Sequence, residues 1–147
     1  MSLAILIIDD EPTLVKNIRV YLGRHGHDTE SAGSAEEGLA LLEHFQPDVV
    51  LLDFHLPGMN GLEALGKIRE RRPDAKVVMI TGHSSVKVAV DAMKAGAYDY
   101  VAKPVVLGEL RLLLDRAAGQ DRLAHALDYY TRREGREAGT RGFDLAA

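Results

Sequence analysis

The chain has no cysteine among its 147 residues. That excludes disulfides, zinc–thiolate centres and thiol nucleophiles, and it fits a reducing compartment. It also lacks a long apolar run. The stretch from Leu3 to Ile8 is too short for a signal-peptide core or a membrane span, and acidic residues follow it at once. Nor is there a basic block: 18 Lys and Arg stand against 22 Asp and Glu, for a formal charge of -4. Direct nucleic-acid binding through phosphate contacts is therefore not expected of this segment. No phosphate-binding Gly-rich loop of the Walker A kind and no helix-turn-helix is present, so ATPase and DNA-binding chemistry are not sought in these residues. His25, His27, His44 and His125 show no metal-ligand spacing. The resulting expectation is a cytoplasmic protein with no membrane partner.

What is present is ordinary for a globular chain: 46% apolar and 27% charged residues, enough length for one domain with a real core. Ala4 to Ile8 reads as a first strand. Asp9-Asp10-Glu11-Pro12 then starts a helix, with Pro12 at its first position and Gly23 to Gly26 at its end. Asp28 to Ala32 is a short, more polar strand, expected near a sheet edge. Ser34-Ala35-Glu36-Glu37 has the spacing of a capping box, opening a helix with Ala35, Leu39 and Leu42 on its inner face. Val49 to Asp53 is an apolar run ending in a carboxylate, the pattern of a strand buried on both faces. A helix with Leu62, Leu65 and Ile68 inward stops before Pro73. Lys76 to Ile80 predicts a strand ending at Thr81-Gly82. Val86, Val90 and Met93 announce a helix that Gly96 ends. Tyr98 to Ala102 predicts a strand ending at Lys103-Pro104, and another helix begins near Leu107.

Five repeats of strand and helix with short loops predict a parallel sheet covered on both faces, with right-handed crossovers. The last helix runs on. Leu113, Ala117, Gln120, Ala124 and Leu127, with Leu123 and Tyr130 alongside, fit a short two-stranded coiled coil and so a homodimer; an amphipathic tail is the alternative. From Arg132 the composition is that of a linker. The expected division is a domain over residues 1–118 and a helical extension and linker over 119–147.

In an open parallel sheet, ligands bind beyond the carboxyl ends of the strands. That rule gathers Asp9 and Asp10, Asp53, Thr81 and Lys103 at one edge. Three carboxylates in one cleft repel each other, and a hard divalent cation such as Mg²⁺ relieves this. Beside it, a lysine ammonium and a hydroxyl would complete an anion pocket in which one carboxylate can take a phosphoryl group.

Asp9-Asp10, the stretch Asp53-x-x-Leu56-Pro57-Gly58-Met59-Asn60-Gly61, Thr81-Gly82, the stretch Gly96-Ala97-Tyr98-Asp99-Tyr100 and Lys103-Pro104, in that order, resemble the receiver domain of two-component response regulators over residues 4 to 118. The resemblance implies a single α/β, doubly wound, flavodoxin-like sheet of order 2-1-3-4-5 with an extended C-terminal helix. It implies Asp53 as phosphoacceptor, Asp10 and Asp9 as ligands of Mg²⁺ or its water, the His55 carbonyl as a further metal ligand, and Lys103 on the phosphoryl oxygens before a cis bond to Pro104. Thr81 and Tyr100 would be the switch pair, acting on the surface of the fourth helix, fifth strand and fifth helix. The implied donor is a sensor histidine kinase, and the implied activity is phosphotransfer with autodephosphorylation only. His55 and His83, two residues after Asp53 and Thr81, would affect how long the phosphoryl group survives.

Plainer readings stand beside these: helix caps for Asp9, Asp10 and Glu11, a strand end for Thr81, a solvated lysine for Lys103, core packing for Tyr100, and exposed loop residues for both histidines. A pseudo-receiver that never turns over phosphate is a second reading. An aspartyl-nucleophile phosphatase is a third, disfavoured because the second acid such enzymes use two residues after the nucleophile is here His55. Asp128-Tyr129-Tyr130, the Arg/Glu-rich stretch and Gly142-Phe143-Asp144 resemble the junction before the ATPase domain of NtrC-like, sigma-54-dependent activators. That implies a receiver and linker from a longer transcription regulator, with a stand-alone receiver as the alternative.

Overall fold

The apolar runs form strands because only a fully covered sheet hides them. A computed structural model describes residues 2–82 and 86–119. Its strands are β1 (Ala4–Ile8), β2 (Asp28–Ala32), β3 (Val49–Asp53), β4 (Lys76–Thr81) and β5 (Asp99–Ala102). They form one parallel sheet of order β2-β1-β3-β4-β5, with Ile5 opposite Val49, Val49 opposite Lys76 and Val78 opposite Asp99. This is the expected order. All of β3 is buried, whereas the polar β2 lies at an edge with alternate residues open to water.

The helices are α1 (Pro12–Arg24), α2 (Ala35–Leu41), α3 (Gly61–Arg71) and α4 (Val86–Lys94), followed by a helix α5 over residues 107–119. Leu6, Ile8, Val50, Leu52, Val77 and Met79 share one core with the inner residues of α2 and α3. The alternate strand residues Ile5, Ile7, Leu51, Val78 and Ile80 are also buried, and α1 buries Ile18 and Leu22. The chain divides into two units, Met1–Leu112 and Leu113–Ala147. Of the coiled-coil positions expected from the spacing, those after residue 119 lie outside the described residues, as does the linker.

Several local expectations need correction. Strand β4 takes in Thr81, and β5 starts at Asp99 rather than Tyr98, because the Tyr98 amide bonds Val77 O at 2.7 Å before the ladder begins. The Ser34 hydroxyl accepts from Glu37 N at 3.1 Å, but the Glu37 carboxylate returns to Gly33 N rather than to Ser34, so half of the capping box is displaced by one residue. Tight i+3 bonds close α2 at Leu41, so Leu42 packs from beyond its end. On α3, Ala64 takes the fully buried place and Leu62 is only half-buried.

The largest departure is α4. Three of its four large apolar residues are turned outward, with Val86 79%, Val90 42% and Met93 45% exposed, and the residue it buries is Ala92. Gly96 ends this helix as expected. Its φ of +105° allows Gly96 N to bond Met93 O and Ala97 N to bond Ala92 O, the paired bonds of a left-handed helix stop.

Candidate functional site: the carboxyl edge of the sheet

Four strand ends build the site. Asp9 follows β1 directly, and its amide donates to Ala32 O at 3.1 Å. Asp53 closes β3 and Thr81 closes β4. Lys103 follows β5, and its amide donates to Thr81 O at 2.8 Å, tying the lysine to the end of the neighbouring strand. The Lys103–Pro104 peptide is cis, as the resemblance implied.

Among the described residues, Asp9, Asp53 and Thr81 are the buried polar side chains. The sheet thus concentrates its polar burial at this one edge. Lys103 Nζ lies 3.2 Å from Asp9 Oδ2 and 3.5 Å from Asp53 Oδ2, and it is also bonded to Glu11 Oε1. The other oxygens are held by backbone amides: Asp9 Oδ1 accepts from Glu11 N at 2.8 Å and Asp53 Oδ1 from His55 N at 3.0 Å. Asp10 is exposed, yet one oxygen from each of Asp9, Asp10 and Asp53 lies within 4.8 Å of the others.

Burial pushes the Asp53 carboxyl above its ordinary range, and the charges of Asp9 and Asp10 push the same way; the His55 amide and Lys103 oppose them. Burial disfavours the Lys103 ammonium, but Glu11, Asp53 and Asp9 outweigh it and hold the lysine charged beyond its ordinary range. The pocket therefore contains more negative charge than its lysine neutralises. Asp9 Oδ2 also has no hydrogen-bond partner beyond its ion pair. An all-oxygen donor set with surplus carboxylate and one unsatisfied buried oxygen fits a hard divalent cation.

The loop after Asp53 is fixed from the far side. Asn60 caps α3 by accepting from Glu63 N at 2.9 Å. Gly61 then begins the helix so close to Phe54 that a Cβ would lie 2.8 Å from Phe54 Cα and O. No larger residue fits without moving the segment that carries the Asp53–His55 contact.

The structure brings together Asp9, Asp10, Asp53 and Lys103. Thr81 is buried at the next strand end. His55 touches the pocket through its amide, while its exposed ring meets the Phe54 ring edge-on at 5.0 Å. Tyr100 stands apart. It is 41% exposed and lines a shallow groove of about 540 Å³ with Val86, Ala89, Val90, Met93 and Lys94. His83 lies outside the described residues. The residue that sequence reasoning underrated is Glu11. It occupies the N-cap position of α1, which suggests capping, but its side chain makes no cap bond and engages Lys103 instead. The only signal was its place as the third acid of the Asp9-Asp10-Glu11 run.

Residues 5–115 match the family described as the response regulator receiver domain. The response regulator protein PilR of Pseudomonas aeruginosa is 42% identical over 112 residues, covering 76% of this chain and 25% of that protein. The nitrogen assimilation regulatory protein NtrX of Azorhizobium caulinodans is 37% identical over 119 residues, covering 80% and 26%. The chain thus spans about a quarter of the length of these relatives. Among solved structures, NtrX from Brucella abortus in complex with ADP superposes with a TM-score of 0.81 at 34% identity, over 95% of this chain and 31% of that one. A CheY-like response regulator receiver domain protein from Methanospirillum hungatei gives 0.75 at 34% identity, over 81% and 96%.

Proposed function

This chain belongs to the response regulator receiver family, and on that premise we propose that it is a phosphorylation-driven switch whose phosphoacceptor is Asp53. The observation that carries the reading is Lys103, whose ammonium spans the two buried carboxylates Asp9 and Asp53 at the carboxyl edge. The phosphoryl group would come from the phosphohistidine of a sensor histidine kinase. An ionised Asp53 oxygen attacks phosphorus, the P–N bond breaks, and the imidazole leaves with the electron pair and takes a proton from solvent. Later a water attacks phosphorus, and inorganic phosphate and the free Asp53 carboxylate are released. These steps form and cleave one bond each, so the chain needs no further reactant than donor and water.

The chain's residues divide this work. Lys103 neutralises charge on the phosphoryl oxygens, and the Thr81 hydroxyl donates to them. The His55 amide, already on Asp53 Oδ1, orients the nucleophile. A Mg²⁺ held by Asp9, Asp10, Asp53 and the His55 carbonyl would supply positive charge to the transferring group. Thr81 moving toward that group would draw the Tyr100 ring inward and alter the exposed apolar surface of α4 and β5. The receiver is assigned to residues 1–118 and the helical extension and linker to 119–147. Three relatives carry the name alginate biosynthesis transcriptional regulatory protein, which supports a transcriptional output; a cytoplasmic location and a homodimer whose assembly follows phosphorylation belong to the same proposal.

The test is intact mass after incubation with Mg²⁺ and acetyl phosphate, for wild type and Asp53→Asn. A Mg²⁺-dependent gain of one phosphoryl group, absent in the variant, is expected. No gain from acetyl phosphate or from candidate kinases would favour the pseudo-receiver. Light scattering before and after phosphorylation tests the dimer, and an unchanged monomer in both states would sink it.

A further inference from the structure

We propose that Glu11 is a positioning residue that competes with the incoming phosphoryl group for Lys103, an inference that rests on the phosphoacceptor role of Asp53. A lysine ammonium has three N–H donors. In this structure they face three carboxylates, those of Asp9, Asp53 and Glu11. The hydrogen bond is the one to Glu11, while Asp9 and Asp53 stand at ion-pair distance, so an arriving phosphoryl group finds the ammonium engaged first of all by Glu11.

The three contacts are not equally held. Asp9 and Asp53 are buried, and each is pinned by a backbone amide through its other oxygen. The Glu11 side chain is 56% exposed, and its carboxylate makes no other hydrogen bond among the described residues. Moving it into water strands no buried charge, whereas moving either aspartate does. Glu11 is also placed to return. Its amide is fixed on Asp9, so its backbone stays beside the pocket while the side chain swings. The carboxylate thus engages Lys103 beside Asp9 and Asp53 and must yield it to the phosphoryl oxygens. It lowers the affinity of the pocket for any tetrahedral anion and shortens the time that anion stays.

The experiment measures binding of beryllofluoride, in the presence of Mg²⁺, to the full chain carrying wild-type Glu11, Glu11→Gln, Glu11→Asp or Glu36→Gln. Glu11→Gln removes the competitor. An exposed ion pair of this kind corresponds to about fivefold in affinity, so a dissociation constant lowered by about that factor is expected. Glu11→Asp keeps the charge but shortens the arm, and most of the gain is expected there too. Glu36→Gln removes a charge from the start of α2, at the same end of the sheet, without touching Lys103, and less than twofold is expected. In metal-free protein, the Lys103 ε-methylene resonance should move in both Glu11 variants while the His55 amide, which reports on Asp53, stays in place.

Unchanged or weaker binding by Glu11→Gln overturns the proposal, as does an equal gain in Glu36→Gln, which would mean bulk charge alone. Wild type that binds no beryllofluoride removes the phosphoacceptor reading together with this one. Wild type that binds as tightly as Glu11→Gln removes only the role of Glu11.

Discussion

The carboxyl edge of the sheet and the outer face of α4 break the same rule in opposite directions. At the edge, Asp9, Asp53 and Thr81 are buried around a lysine. On α4, Val86, Val90 and Met93 face water, next to the half-exposed ring of Tyr100. Neither arrangement serves the stability of the isolated domain. Buried carboxylates cost desolvation that their mutual repulsion increases, and exposed apolar side chains forgo the gain that burial would bring. The two differ in what completes them. On the proposed function, a cation and a phosphoryl group would complete the first, and apolar contact would complete the second. The edge is held rigidly by amides and strand register, while the face lies on a helix whose only fully buried residue is Ala92. A switch needs that division: a stiff site to read a small chemical change, and a lightly anchored element to display it.

The comparison is broken most severely by removing its cation. Lys103→Ala leaves Asp9 and Asp53 buried without a counter-charge. A loss of about 3 kcal/mol in metal-free urea unfolding is expected, since breaking a buried pair strands its partner. If the edge is as rigid as argued, Mg²⁺ at tenfold its dissociation constant should stabilise wild type by about 1.4 kcal/mol, and should bind Lys103→Ala more tightly than wild type because no ammonium opposes it. A variant as stable as wild type without metal would mean that the carboxylates relax outward and the edge is soft.

The second test uses pH. Asp53 has a raised pKa, so it holds its proton more tightly in the folded chain than in the unfolded one. Between the ordinary carboxylate value and the raised one, the folded state carries more protons. Stability therefore falls as pH climbs through that window, and the full penalty is present above it. In metal-free solution, Asp53→Asn should track wild type at the acid end of the window and become progressively more stable relative to it toward neutral pH. A gap that stays constant with pH would show that Lys103 neutralises Asp53 fully, and that a surplus of negative charge is not what draws the cation.

The edge was largely legible in the sequence and the face was not, for a physical reason. A parallel strand covered on both faces is a short apolar run with sharp ends, so the polar residue that stops it stands out, and topology alone brings Asp9, Asp53, Thr81 and Lys103 to one side. A helix is legible by its period, but the period does not say which stripe packs inward. On α3, Leu65 and Ile68 are buried as expected. On α4 the same kind of spacing runs along the outside, and the packed residue is an alanine that carries little hydrophobic signal. Glu11 was hidden differently. An acid before Pro12 suits a helix start so well that nothing in the residue type points to Lys103, which lies 92 positions away.

The smallest effect is therefore expected at the face that looks most hydrophobic. Val90→Lys with Met93→Lys removes two large apolar side chains from α4. In an ordinary amphipathic helix that would cost several kcal/mol. Here both residues are exposed, so unfolding free energy should stay within about 0.5 kcal/mol of wild type, and uptake of a phosphoryl group from acetyl phosphate should be unchanged. Ala92→Asp, one position away and fully buried, should cost more than the double variant despite the smaller volume changed. If Val90→Lys with Met93→Lys destabilises the monomer as much as Ala92→Asp, the outer face of α4 is core in solution and the contrast with the edge fails. If stability holds while association after phosphorylation is lost, the exposed stripe is kept for a partner that the chemistry at Asp53 calls in.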